Sequence, residues 1–172
     1  FKQYLSPDVI EQLIAHPERL KLGGERRTLS VFFSDLEGFT GISEGLDPEE
    51  LTNLLNTYLS AMTGIIHEEG GTVDKYEGDA IIAFWNAPLR QPDHATRCVR
   101  AALRCQAKLA QMRPEFYKSL NKNLNMRIGM NTGQAIVGNM GSNSRFDYTM
   151  IGDTVNLAAR LEGINKQFGI YT

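Results

Sequence analysis

The chain has 172 residues, of which 42% are apolar and 22% charged, an ordinary balance for one soluble globular domain that excludes disordered and collagen-like classes. Eighteen Lys and Arg against twenty Asp and Glu leave a net charge of −2, too even for phosphate-driven binding, so no nucleic acid partner is expected. The longest apolar stretch, Ala80 to Trp85, is far short of the ~20 residues of a membrane span. No signal peptide is read at the start, so no membrane contact is expected of the chain itself.

Residues 1–27 read as a polar helical lead, with Ser6-Pro7 as a helix start and Gly23-Gly24 as a break, and are expected to act as a connector. Thr28 to Phe33 is β-rich and runs through Ser34-Asp35 into a Gly-containing turn, which predicts a buried strand with Asp35 at its carboxyl end. From Asp47 the positions Leu51, Leu54, Leu55, Tyr58, Leu59, Met62, Ile65 and Ile66 recur at helical spacing until Gly70-Gly71. Thr72 to Tyr76 and Asp79 to Trp85 are β-like runs separated by Glu77-Gly78, the pattern of a tight hairpin.

From Pro92 to near Met112 the pattern is helical again, with Cys98, Ala101, Ala102, Cys105 and Leu109 on one face. Two helical turns would hold Cys98 and Cys105 about 10 Å apart, too far for a disulfide. They read as reduced core thiols in a reducing compartment. Asn125 to Val137 is β-like, with Gly129 and Gly133 marking bulges or close backbone approach. A loop is expected over Gly138 to Ser144, a short strand over Phe146 to Ile151, and a helix opening at Gly152-Asp153-Thr154. Gly169 to Thr172 reads as the start of another strand. The order βαββαβ predicts an α+β fold with a ferredoxin-like core, one antiparallel sheet carrying helices on one face, and additional C-terminal elements.

Two acids stand out. Asp35 ends the first strand and Asp79 sits at the hairpin turn, so pairing of that strand with the hairpin brings the carboxylates side by side. Two hard oxygen ligands with few other protein donors suit Mg²⁺, which keeps waters and shares phosphate oxygens with a substrate. The backbone of Glu37, Gly38, Phe39 and Thr40 can turn its N–H groups inward as a nest for polyphosphate. Asp74, Glu77 and Asp153 are expected in solvated turn or helix-cap roles. His67 and His94 read as ordinary helix residues.

Phe33-Ser34-Asp35-Leu36-Glu37-Gly38-Phe39-Thr40, Lys75-Tyr76-Glu77-Gly78-Asp79-Ala80 and Tyr148-Thr149-Met150-Ile151-Gly152-Asp153-Thr154-Val155-Asn156-Leu157-Ala158-Ala159-Arg160 resemble the three signature segments of class III nucleotidyl cyclase catalytic domains. The likeness runs from about Arg27 onward, with residues 28–172 as the catalytic domain. It implies a head-to-tail homodimer with two interfacial sites, two divalent ions (Mg²⁺ or Mn²⁺) per site, and conversion of a nucleoside triphosphate to its 3′,5′-cyclic monophosphate and pyrophosphate.

By this resemblance Asp35, Asp79 and the Leu36 carbonyl bind the metals, and no side chain is needed as a dedicated general base. Lys75 stands where adenylyl cyclases of the family carry Lys and guanylyl cyclases typically Glu. Its partner position holds Thr149, where many relatives have Asp. Adenine presents an acceptor at N1 and a donor at N6, matching a Lys donor and a hydroxyl acceptor. ATP is therefore the expected substrate, and the activity adenylate cyclase. Asn156 and Arg160, four apart on one helix face, are implied in ribose positioning and in meeting charge on the transferring phosphoryl group. Arg145 is a candidate triphosphate contact. The family's phosphate-binding Lys lies in a hairpin expected beyond Thr172. An upstream sensor domain is expected, within a cytoplasmic setting compatible with a membrane anchor elsewhere in the full-length protein.

Other readings stay open. Guanylyl cyclase activity is the near neighbour, and a regulatory nucleotide-binding module that has lost turnover is the non-enzyme alternative. An aspartate-nucleophile phosphatase fits the strand-end Asp35, but Glu37 and Phe39 depart from that pattern.

Overall fold

In a computed structural model of the chain, residues 5–19, 23–142 and 145–172 are described, without the side chains of Asp8, Arg19, Arg145 and Phe146. In chain order the elements are α1 (Pro7–Ala15), β1 (Glu25–Leu36), α2 (Phe39–Glu44), α3 (Pro48–Glu68), β2 (Thr72–Glu77), β3 (Ala80–Trp85), α4 (His94–Leu120), β4 (Met126–Ser142), β5 (Arg145–Ile151) and α5 (Asp153–Phe168). The strands form one antiparallel sheet in the order β2-β3-β1-β4-β5. The βαββαβ core is present, followed by β5 and α5.

Helices cover both faces of the sheet, not one. Phe32 and Leu36 of β1 join Val73, Ile81, Ala83 and Trp85 beneath α3 and α4. Leu29 and Val31 join Ile82, Phe84, Ala135 and Val137 on the opposite face, closed by Met150 of β5 and Ala158 of α5. The physical reason is visible in β3, whose run Ala-Ile-Ile-Ala-Phe-Trp has no polar alternation. Such a strand is buried on both sides.

Several boundaries differ from the sequence expectation. β1 starts at Glu25, and Arg27 is buried within it, donating to the carbonyls of Asn86 at 2.9 Å and Pro88 at 2.8 Å and pairing with Glu25. Polar residues there satisfy one another, so composition hid the strand. α1 is capped by Ser6 Oγ, and Leu5 and Val9 pack on Leu89. The remainder of the expected lead, residues 1–4 and 20–22, lies outside the described residues. α4 runs on through Pro114 to Leu120 because Phe116 is buried against the core.

The expected loop after Val137 continues as strand through Ser142, and residues 143–144 lie outside the described set. β4 is long because it serves two partners in succession. Its first part pairs with β1, from Met126↔Leu36 to Val137↔Glu25, and its last part pairs with β5. The sheet curls enough that Tyr148 of β5 meets Phe84 of β3, ring centroids 6.0 Å apart. The last four residues form no assigned strand, although Ile128 N–H donates to the Tyr171 carbonyl at 2.8 Å. Cys98 and Cys105 are buried free thiols, and burial pushes both up to about 12. Among the described residues no helix is long and apolar enough to cross a membrane.

Gly129 marks close approach, not a bulge, since β1 and β4 pair without a register break. A Cβ there would lie 2.2 Å from the Glu162 backbone nitrogen and 2.5 Å from the Ala158 carbonyl oxygen. α5 thus crosses β4 backbone on backbone, and no side-chain rotation can relieve an added methyl. Gly129→Ala is expected to destabilise the fold by about 3 kcal/mol, at the upper end of overpacking costs. A urea melt checks this, and a midpoint equal to that of the unaltered chain would show that α5 shifts freely.

Candidate active site

β1 and β3 pair through Ser34↔Ile81, so the ends of β1 and of the β2–β3 hairpin arrive together. The hairpin closes Glu77 onto Ala80 and its two turn residues are Gly78, at φ 61°, and Asp79. The turn therefore sits one residue later than the sequence pattern suggested, and Asp79 is in the turn itself. The Leu36 N–H donates to Asp79 Oδ2 at 2.6 Å, which fixes this carboxylate beside the end of β1. Burial raises Asp79 above the usual carboxylate range, the Leu36 N–H counters that, and the charge of Asp35 adds to the rise.

A third acid joins them that the sequence reading missed. Glu162 of α5 lies within hydrogen-bonding reach of Asp35, and burial together with that neighbour pushes it up to about 8. Asp35 Oδ1 and Glu162 Oε1 are both buried without a hydrogen-bond donor. Two carboxyl groups this close need a proton or a cation between them. The only sequence signal was the i to i+2 relation of Glu162 to Arg160, which is silent without knowing where α5 lies.

These observations fit a divalent cation. Asp35 and Asp79 supply hard oxygens at a half-buried strand end, and an orphaned carboxylate oxygen waits for a positive partner. Among the described residues no group of three or more His, Cys, Asp and Glu side chains is arranged to hold a metal by itself. A two-carboxylate site of this kind is completed by waters and substrate phosphates.

The phosphate-nest residues follow directly. The Glu37 N–H donates to the Asn125 carbonyl at 2.8 Å, so it is not a free donor. Its carboxylate faces Arg127 at 3.6 Å, and its proximity raises the Tyr171 hydroxyl. Gly38 adopts a left-handed φ of 67° and caps α2, with Phe39 leaning on the core and Thr40 exposed. Gly38 is required there by its backbone angle.

The remaining candidates lie elsewhere on the molecule. Lys75 is exposed on β2, immediately after a bulge between Val73 and Lys75. Thr149 on β5 donates from Oγ1 to Asp74 Oδ2 at 2.6 Å, so β2 and β5 meet although they are opposite edges of the sheet. Asp74 is correspondingly buried, not a solvated turn residue. Asn156 and Arg160 are exposed on α5. Arg145 opens β5, and its side chain lies outside the described residues. The chain thus brings together Asp35, Leu36 and Asp79 in one place, and in another Thr149 with Asp74, the residue before Lys75.

The profile of the Adenylate and Guanylate cyclase catalytic domain matches residues 24–171. Adenylate cyclase 1 of Rhizobium meliloti is 38% identical over 144 residues, covering 84% of this chain and 22% of that protein. Adenylate cyclase of Anabaena cylindrica is 37% identical over 158 residues, covering 88% of this chain and 30% of that protein. The chain therefore spans less than a third of the length of these two curated relatives. Among solved structures, the adenylyl cyclase CyaB from P. aeruginosa superposes with a TM-score of 0.79 at 41% identity, over 83% of this chain and 74% of that one. The guanylyl cyclase Cya2 gives 0.78 at 41% identity, over 83% and 72%. With the match running through all three signature segments, the chain belongs to the class III adenylyl and guanylyl cyclase catalytic domain family.

Proposed function

We propose that the chain is an adenylyl cyclase that converts ATP to 3′,5′-cyclic AMP and pyrophosphate at the interface of a head-to-tail homodimer. The observation that carries the adenine reading is the meeting of β2 and β5, where the Thr149 hydroxyl donates to Asp74, and Lys75, an exposed ammonium donor, is the next residue along β2. Lys75 and Thr149 match the acceptor at N1 and the donor at N6 of adenine, and guanine reverses both. The two relatives named adenylate cyclase support this choice.

Two chains are needed because the base-reading pair and the acid pair occupy different places on one chain, while ATP must touch both kinds of group. Support comes from large apolar side chains left exposed on β5 and along α5, with Ile151 at 52% and Phe168 at 68% of their surface, which a partner chain would cover. One chain then contributes Asp35 and Asp79, with the Leu36 carbonyl, toward two Mg²⁺ or Mn²⁺ ions. The same chain offers the backbone of Gly38, Phe39 and Thr40 to the phosphates, with Glu37 held aside by Arg127. Its partner contributes Lys75, Thr149, Asn156, Arg160 and Arg145, and the arrangement is repeated by C₂ symmetry.

When bound, the divalent ions would acidify the ribose 3′-hydroxyl and take up charge on the departing pyrophosphate. Asn156 holds the ribose so that its 3′-oxygen lies in line with the α-phosphorus. As the new O–P bond forms and the bond to pyrophosphate breaks, Arg160 meets the charge on the transferring group. Residues 1–24 would link this unit to an upstream sensor domain, in a cytoplasmic setting.

Three measurements test the reading. Cyclic AMP and cyclic GMP formed side by side from equal ATP and GTP should favour the adenine product; a preference for GTP would overturn the base assignment. Asp79→Ala and Arg160→Ala chains should each lose at least about 10²-fold in turnover. Mixed equally they should regain about a quarter of the unaltered activity, because about half the dimers are heterodimers with one intact site of two. No regain would rule out shared sites. Mn²⁺ should raise the melting temperature of the unaltered protein by binding the folded state alone. Asp35→Asn should abolish that rise while melting no lower without metal, since it relieves the crowding of Asp35, Asp79 and Glu162.

A further inference from the structure

Thr149 and Asp74 are seventy-five positions apart in sequence and meet at 2.6 Å between Oγ1 and Oδ2. Asp74 retains only 7% of its surface, and the backbone of Met150, next to Thr149, favours its ionised form. The bulge in β2 accounts for its placement. With the register shifted between Val73 and Lys75, Val73 and Asp74 are both buried and Lys75 is exposed. An extra residue in one strand re-aims the side chains around it.

The consequence concerns where one hydrogen atom lies. A threonine hydroxyl has a single proton and two lone pairs, and an ionised carboxylate has only acceptors. Facing Asp74, the hydroxyl must donate, so only lone pairs remain to face anything else. We propose that Asp74 is a positioning residue for base specificity: by holding the Thr149 proton it makes Thr149 an obligatory acceptor, which selects a purine bearing a donor at its 6-position and rejects one bearing an acceptor. The proposal rests on the adenine reading above and deepens it. Guanine O6 would face lone pairs across a short contact, and the unpaired acceptor is costly to bury. Burial raises Asp74, while Thr149, Lys75 and the Met150 N–H favour its ionised form and Asp147 opposes it.

The role separates from simple structural support through a ratio. In Asp74→Asn the amide can either accept from or donate to Thr149, so the hydroxyl is free to turn its proton outward. The ratio of kcat/KM for ATP to that for GTP should fall about tenfold or more. Thr149→Val should also lower the ratio, Asp74→Asn should change it no further in that background, and Thr149→Ser should restore it. An unchanged ratio in Asp74→Asn, with both substrates slowed alike, would overturn the proposal. An unaltered protein that prefers GTP would instead overturn the adenine reading, so the two failures are distinguishable.

A measurement on the unaltered protein needs no variant to fold. Purine riboside triphosphate keeps N1 as an acceptor and has only hydrogen at the 6-position, whereas 6-methoxypurine riboside triphosphate places an acceptor there. The methoxy analogue should be the poorer substrate, and its use in preference to the unsubstituted purine would overturn the proposal.

Discussion

The bond from the Leu36 N–H to the Asp79 carboxylate, 2.6 Å long, is the constraint on which the site depends. It ties the end of a central strand to the turn of a neighbouring hairpin, and so sets one acid against another. Asp35, Asp79 and Glu162 crowd a half-buried place where Arg127 is the positive group acting on Glu162. Like charges held together by the fold cost stability, and a fold retains such an arrangement where a cation or a reaction uses it. Here the backbone supplies the restraint and leaves carboxylate oxygens unspent.

The second cluster arises from the shape of the sheet. β2 and β5 are its two edges, yet curling brings Tyr148 onto Phe84 and Thr149 onto Asp74. Asp74 and Thr149 meet because a long β4 changes partner along its length and brings β5 round to β2. The same sheet therefore holds both candidate clusters, one at the β1 end and one where its edges converge. Rigid strands place side chains more reproducibly than loops do, which suits a reaction that needs in-line geometry.

Much of this was legible in the residues, and the omissions share a cause. The strand reaching Asp35, the hairpin that turns at Asp79 and the long helix α3 follow from local periodicity and turn residues, whereas the short α2, read as a turn, did not. Asp74 did not, because a buried acid and a solvated one look alike in sequence; its partner lies on a strand at the opposite edge. Glu162 was hidden for the same reason, since only the crossing of α5 over β4 brings it to Asp35. The opening of β1 was obscured by Arg27, whose buried charge is satisfied by carbonyls of Asn86 and Pro88 just after β3. Local pattern reveals elements, whereas long-range pairs decide which polar residues are hidden.

Gly129 carries a mechanical meaning. Without a side chain between them, α5 and β4 have no compressible layer of methyl groups to absorb relative motion. Helix and strand behave as one lever, so Asn156 and Arg160 turn with the sheet through the same angle. A torque delivered to the strands would reach those two side chains with little loss, since no soft layer lies between helix and sheet at this crossing.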